Sequence, residues 1–278
     1  MPIAAKEIAT QIIEAIDKDE LVLPTLPEVA LSVREVADDP EASITDLSRV
    51  ISQDAALSAR IIKVANSPLF RAPREIEDLN MALSRLGMQY TSNLAIGLAM
   101  EQMFQATNDF VDKKLREVWA RSGEIAGICH MLCKHRTKLR PDQAALSGLV
   151  HQIGVLPILA FAEDNQELLQ NKAALEKIIE AIHPHIGIKI LTSWEFHSDM
   201  RQVPKDCFRF TRQAPQADYA DIVTIAMLQS YIADGSKYTD TDLTQVTAFA
   251  RLGIEPVIET AEGEDLSEEM AAAMAMLT

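Results

Sequence analysis

Apolar residues recur along this chain at intervals of three and four almost throughout. Ile8, Ile12 and Ile16 stand at i, i+4 and i+8, and Val29, Val33 and Val36 repeat the spacing. That period collects side chains on one face of an α-helix, whereas a strand would alternate them across a sheet. Strand-like alternation is nearly absent, so an all-α fold is expected. Start and stop signals divide the pattern into short helices. Ser43-Ile44-Thr45-Asp46 reads as a capping box, in which the serine oxygen and the acid three residues on satisfy each other's backbone N–H groups. Asp54 reads as the N-cap of a run through Leu57, Ile61, Val64 and Ala65 that Ser67-Pro68 ends. Gly87 reads as a left-handed C-cap, and Met88 to Phe104 as the next apolar helix.

A polar patch, Gln105 to Asp109, separates this set from a helical pattern over 110–135 with Leu115, Trp119, Ser122, Ile125, Cys129 and Leu132 on one stripe. Further helices are expected at 142–152, 155–162, 166–182, 186–196, 218–233 and 242–252, with His183-Pro184-His185 opening the fourth of these patterns. Residues 198–216, which include Pro204 and Pro215, are the least patterned. The expected organisation is an N-terminal helical part over 1–107, a helical core over 108–216, and C-terminal helices with an acidic tail over 217–278.

Charge narrows the partners. The chain has 278 residues, with 26 Lys plus Arg against 41 Asp plus Glu, a net charge of −15. That field opposes a phosphate backbone, so no nucleic-acid partner is expected. The densest cationic run, Lys134 to Arg140, reads as the close of a helix, where cations favour the dipole. Seven acids follow Arg251, and the segment Leu266 to Leu277 with Met270, Met274 and Met276 reads as a helix that either docks on the body or offers a contact surface. The most apolar stretch, Leu146 to Ala162, is interrupted by His151, Gln152 and Pro157 and falls short of the ~20 residues that span a bilayer. No membrane association is expected. Three cysteines and no signal peptide point to the cytoplasm.

Two groups of residues invite metal chemistry. Cys129, His130, Cys133 and His135 share helical spacing, but Cys129 and Cys133 lie on the apolar stripe, so packing cysteines are expected and no metal is assigned to them. His151 in Gly148-Leu149-Val150-His151-Gln152-Ile153-Gly154 and His183 have no acid beside them in sequence to complete a hydrolytic site.

Around these histidines the chain resembles the HDOD domain, a relative of the HD metal-dependent phosphohydrolases. The resemblance is carried by Leu23-Pro24-Thr25-Leu26-Pro27-Glu28-Val29, the run Ile51 to Ser67, Ala82 to Gly87, Val118-Trp119-Ala120-Arg121-Ser122 and Ser147 to Gly154, in that order over roughly 20–215. It implies a multi-helix, HD-like bundle in which an N-terminal helical subdomain packs on an HD-like core. It also implies where a phosphohydrolase site would lie. The paired His and Asp of the HD signature fall on His151 and Gln152, an upstream ligand histidine on Arg121, a further histidine on His183, and a later pair near Cys207 and Phe208.

Gln152 lacks the charge that would offset a cation, and Arg121 is a permanent cation where a metal ligand would stand. Metal-activated hydrolysis is therefore not expected, and no metal or cofactor is assigned. The resemblance implies a non-catalytic module of signal transduction, acting through protein–protein contacts or a ligand-gated change of shape and meeting signalling partners in trans. The alternative is a residual metal-dependent phosphohydrolase acting on a nucleotide or cyclic dinucleotide. Arg121, His151, Gln152 and His183 form the candidate ligand-binding cleft, with such a nucleotide as the small ligand it could admit. A competing reading pairs Arg121 with Glu117 or Glu124 on its own helix and buries the histidines in the core. The oligomeric state is left open.

Overall fold

The computed structural model describes residues 3–68, 70 and 74–257, with side chains from Lys6 onward. Among them are helices and no strand. The N-terminal part contains α1 (Ile3–Asp17), α2 (Glu28–Asp38), α3 (Ile44–Ile51), α4 (Ala55–Ala65), α5 (Leu79–Leu86) and α6 (Met88–Ala99), followed by a 3-10 turn at Met100–Met103. Then come α7 (Asp109–Arg136), α8 (Pro141–Val150), α9 (Val155–Glu163), α10 (Gln166–Gln170) and α11 (Lys172–Ser193). Two single turns, α12 (Ser198–Arg201) and α13 (Val203–Asp206), precede α14 (Tyr219–Ala233), a 3-10 turn at Leu243–Gln245 and α15 (Thr247–Leu252).

The caps act where the sequence places them. Ser43 and Asp46 form the reciprocal box, and the Asp54 side chain accepts from the Leu57 N–H. Gly87 ends α5 and begins α6, but at φ +80° and ψ 161° it lies outside the left-handed helical region that the sequence suggests. This extended, positive-φ conformation is open to glycine because it has no Cβ. Lys134, His135 and Arg136 do close α7. Two expectations are corrected. The patterns at 166–182 and 186–196 divide at a different place: the break falls at Asn171, between α10 and α11, and α11 runs unbroken through Pro184. A proline inside a helix costs about 3 kcal/mol, chiefly one lost hydrogen bond and a steric clash. Here Ile178, Ile182, Ile186 and Ile190 continue one buried stripe across it, so packing on both sides holds the helix together. The least patterned stretch is also ordered. Asp221, buried on α14, accepts from Arg212 at 2.7 Å and from Arg251 at 2.6 and 2.8 Å, which ties that stretch and α15 to α14. The tail with Met270, Met274 and Met276 lies outside the described residues.

Packing centres on α7 and α8, with α14 against both and α6 reaching α8 from the N-terminal layer. In that layer α2, α3 and α4 pack on α6. α11 packs against α9, α13 and α1, and its end is fastened to the N-terminal layer: the Trp194 indole donates to the Pro24 carbonyl at 2.8 Å, while Arg34 donates to the Trp194 carbonyl. The run Pro141–Glu163 is the one described stretch long and apolar enough to cross a bilayer, and 83% of its apolar 18-residue window is buried inside this fold.

Two glycines set the closest approaches. A Cβ on Gly148 would stand 2.6 Å from the Ala126 Cα of α7, and one on Gly154 would stand 2.0 Å from the His183 carbonyl oxygen of α11. Backbone cannot yield to such contacts as a flexible side chain can. Gly154→Ala is therefore expected to destabilise the fold by about 3 kcal/mol or more, at or beyond the upper range of ordinary overpacking. Gly235→Ala, where a Cβ meets nothing within 4 Å, is expected to cost less despite its positive φ. Urea unfolding of the two variants beside the parent checks this order.

Candidate functional site

His151 occupies the turn between α8 and α9, pinned on both sides by the two glycine contacts. Its Nδ1 lies 2.6 Å from the Gly148 carbonyl. A carbonyl oxygen only accepts, so Nδ1 carries the proton and Nε2 offers its lone pair. That Nε2 is buried and finds no partner in the protein, and the same holds for Nδ1 of His183 on α11. The Phe208 ring packs near both imidazoles, its centroid 6.3 Å from that of His151 at a near-parallel angle and 5.1 Å from that of His183 edge-on. Burial pulls His151 down to about 4. Burial, followed by the neighbouring His151, Lys237 and His185, pulls His183 down to about 3. Both are neutral core residues at pH 7, as the competing reading of the sequence has it.

Arg121 and Gln152 point to a different place, a groove of about 690 Å³ bounded by α7, the start of α9, α11 and the chain after α14. Tyr231 joins them. The Arg121 guanidinium lies 4.8 Å over its ring, and Gln152 donates to its hydroxyl at 3.3 Å. Arg121 also donates to Ser230 Oγ at 2.6 Å, to Glu124 at 3.1 Å and to Asp234. The structure thus selects Glu124 over Glu117 as the partner on its own helix and adds Asp234, whose carboxyl Ser236 and Arg121 hold down to about 2.

Three ion pairs link the groove's walls pairwise. Lys114 on α7 meets Glu176 on α11 at 2.5 Å, Lys237 after α14 meets Glu180 on α11 at 2.8 Å, and Arg121 on α7 meets Asp234 after α14. Each is partly exposed and contributes about 1 kcal/mol or less. Glu117, exposed on the same wall, makes no ion pair or hydrogen bond. Four carboxylates (Glu117, Glu124, Glu176 and Glu180) therefore line the groove beside three cations, and Asp234, paired with Arg121, adds a fifth acid next to it, a local charge of −2.

These residues do not fit a hydrolytic metal. Arg121 is a cation already held by Glu124 and Asp234, Gln152 is a neutral amide without the charge that would offset a metal ion, and the Phe208 ring packs against both histidines. No group of three or more His, Cys, Asp or Glu among the described residues is disposed to hold a metal ion. Cys129 and Cys133 are buried thiols, and burial raises both. His130 turns to Tyr90, and His135 lies exposed at the end of α7. The structure therefore divides the four candidate residues: Arg121 and Gln152 line the groove, while His151 and His183 sit in the core. Sequence reading misses Tyr231, Asp234, Lys237, Glu176 and Glu180, because they join Arg121 and Gln152 around the groove from positions 24 to 116 residues away along the chain.

Comparison with known proteins agrees with this architecture. The HDOD domain model matches residues 23–205. A solved structure from Shewanella amazonensis SB2B, provisionally named a metal-dependent phosphohydrolase, superposes with a TM-score of 0.88 at 28% identity over 99% of both chains. One from Marinobacter aquaeolei VT8, provisionally named a signal transduction protein, gives 0.65 at 19% identity, over 99% of this chain and 65% of that one. A curated protein of Treponema pallidum (strain Nichols) is 24% identical over 224 residues, which is 72% of this chain and 41% of that protein's length. The chain thus spans about two-fifths of that relative, and the fold is all-α and HD-like.

The buried histidines make stability depend on pH. Histidines of the unfolded chain protonate near 6.5, whereas His151 and His183 resist until about 4 and 3. As pH falls through that window the unfolded state takes up protons first, so stability is full above about pH 7 and declines below 6.5. Each residue contributes a slope of up to about 1.4 kcal/mol per pH unit. Denaturant unfolding between pH 7.5 and 5 is expected to show this decline, and His183→Phe to flatten it. An unchanged slope in the variant would count against the assignment.

Proposed function

The chain belongs to the HDOD domain family, and from that premise we propose that it is a non-catalytic regulatory module of signal transduction that works through contact with other proteins. The observation that carries this reading is the state of Arg121. At the position where the HD resemblance sets a metal ligand, a permanent cation is held by Glu124, Asp234 and Ser230 and lies on Tyr231. A divalent ion there would meet a like charge, and the Asp that would offset it is replaced by Gln152. The groove left behind carries more acid than base, which argues against a nucleotide as the natural occupant and favours partners met as proteins, in trans.

The residual-hydrolase reading rests on the two unpartnered imidazole nitrogens, at His151 and His183. One experiment separates the two readings. Protein purified without chelator and then incubated with manganese, iron, nickel or zinc is expected to hold far less than one ion per chain by elemental analysis. Such protein is also expected to hydrolyse neither nucleotides nor cyclic dinucleotides above background. Retention of about one ion per chain, together with phosphodiester hydrolysis that His151→Ala abolishes, would overturn the regulatory reading.

A further inference from the structure

We infer that the groove between α7, α11 and the chain after α14 receives a cationic side chain, lysine or arginine, of a protein partner. The inference rests on the proposal that this chain acts by contact, and it assigns the contact surface and the chemistry of what it meets. At about 690 Å³ the groove falls within the range of built ligand sites. Its floor contains Val118, Val155 and Ile179, which suit the methylene stem of a long basic side chain, while Tyr231 presents a ring that already carries two cations, Arg121 at 4.8 Å and Lys237 at 6.0 Å.

Charge decides the sign of the guest. An anion would find every cation of the groove already paired and would face four carboxylates on its walls, with Asp234 beside them. A guest cation finds Glu117 free on the wall, and it can also share Glu176, Glu180 or Asp234 with their present partners. The net charge of −15 on the chain adds long-range attraction for such a partner.

Occupancy has a structural effect, because the three ion pairs join three different elements. A guest that draws one carboxylate away loosens one side of that triangle, and the spacing of α7, α11 and the end of α14 is no longer fixed by all three. Binding at the groove is thereby coupled to the arrangement of the helices around it.

The probe is a fluorescent ten-residue peptide of alternating Leu and Arg, compared with its Leu and Glu counterpart and with ATP, at physiological salt. Saturable binding of the arginine peptide alone is expected, with slower amide hydrogen exchange at 114–124 and 231–237. Glu117→Lys, at a side chain with no partner to lose, is expected to weaken binding about tenfold while leaving the melting temperature unchanged. Glu35→Lys makes the same change of charge on the exposed face of α2 and is expected to stay within twofold of the parent. No binding, equal weakening by the two substitutions, or protection of the same segments by ATP would each overturn the inference. Those results leave the regulatory reading standing, since that reading falls to metal-dependent hydrolysis, which is measured separately.

Discussion

The turn from α8 to α9 is held by backbone pressed against backbone on both sides, and the rest of the core takes its positions from that double contact. Gly148 touches α7 at Ala126, and Gly154 touches α11 at the His183 carbonyl. Between them, His151 has its orientation set by the Gly148 carbonyl, and the next residue, Gln152, turns outward to Tyr231. Neither neighbour can withdraw without opening a void in a close-packed interior. The two faces of the turn therefore keep separate characters, one dry and aromatic around Phe208, the other charged and open to solvent.

The fold is HD-like, and among the described residues no group of three or more His, Cys, Asp or Glu is disposed to hold a metal ion across this turn. A metal centre holds helices together by taking several ligands from different elements. Here the helices are linked by Arg121 and the acids around it, and on the other side by two neutral imidazoles against a phenyl ring, one near-parallel and one edge-on. Such links are individually weak and need no bound cation. Rigidity then comes from the apolar contacts of α7, α8, α11 and α14, and the charged side chains are left able to change partners.

Much of this was legible in the sequence wherever the cause is local. Helical periodicity, the Ser43 box, the Asp54 cap and the cationic end of α7 depend on residues within four positions of one another, and all are found. The pairing of Arg121 with Glu124 is of the same kind. Pro184 misled because its cost is local, whereas the isoleucine stripe that outweighs it is tertiary. The order of residues 198–216 was invisible because it comes from Asp221 accepting from Arg212 and Arg251, nine and thirty residues away. The candidate residues part company for a related reason. His151 and Gln152 are adjacent in sequence, yet one is buried on the Gly148 carbonyl and the other reaches Tyr231 at the groove, and no pattern of residue types records that.

One feature of α11 reaches beyond the groove. Glu176 and Glu180 lie in its first half, and Trp194, immediately after its last turn, grips Pro24 and Arg34 of the N-terminal layer. From Glu180 to Trp194 the axis runs roughly 21 Å at 1.5 Å per residue, so a tilt of about 3° at one end displaces the other by about 1 Å. The helix is thus a lever with its handle among the groove's carboxylates and its load on the N-terminal layer. Pro184 lies within that span, and the buried isoleucines on either side of it keep the two halves of the lever in line.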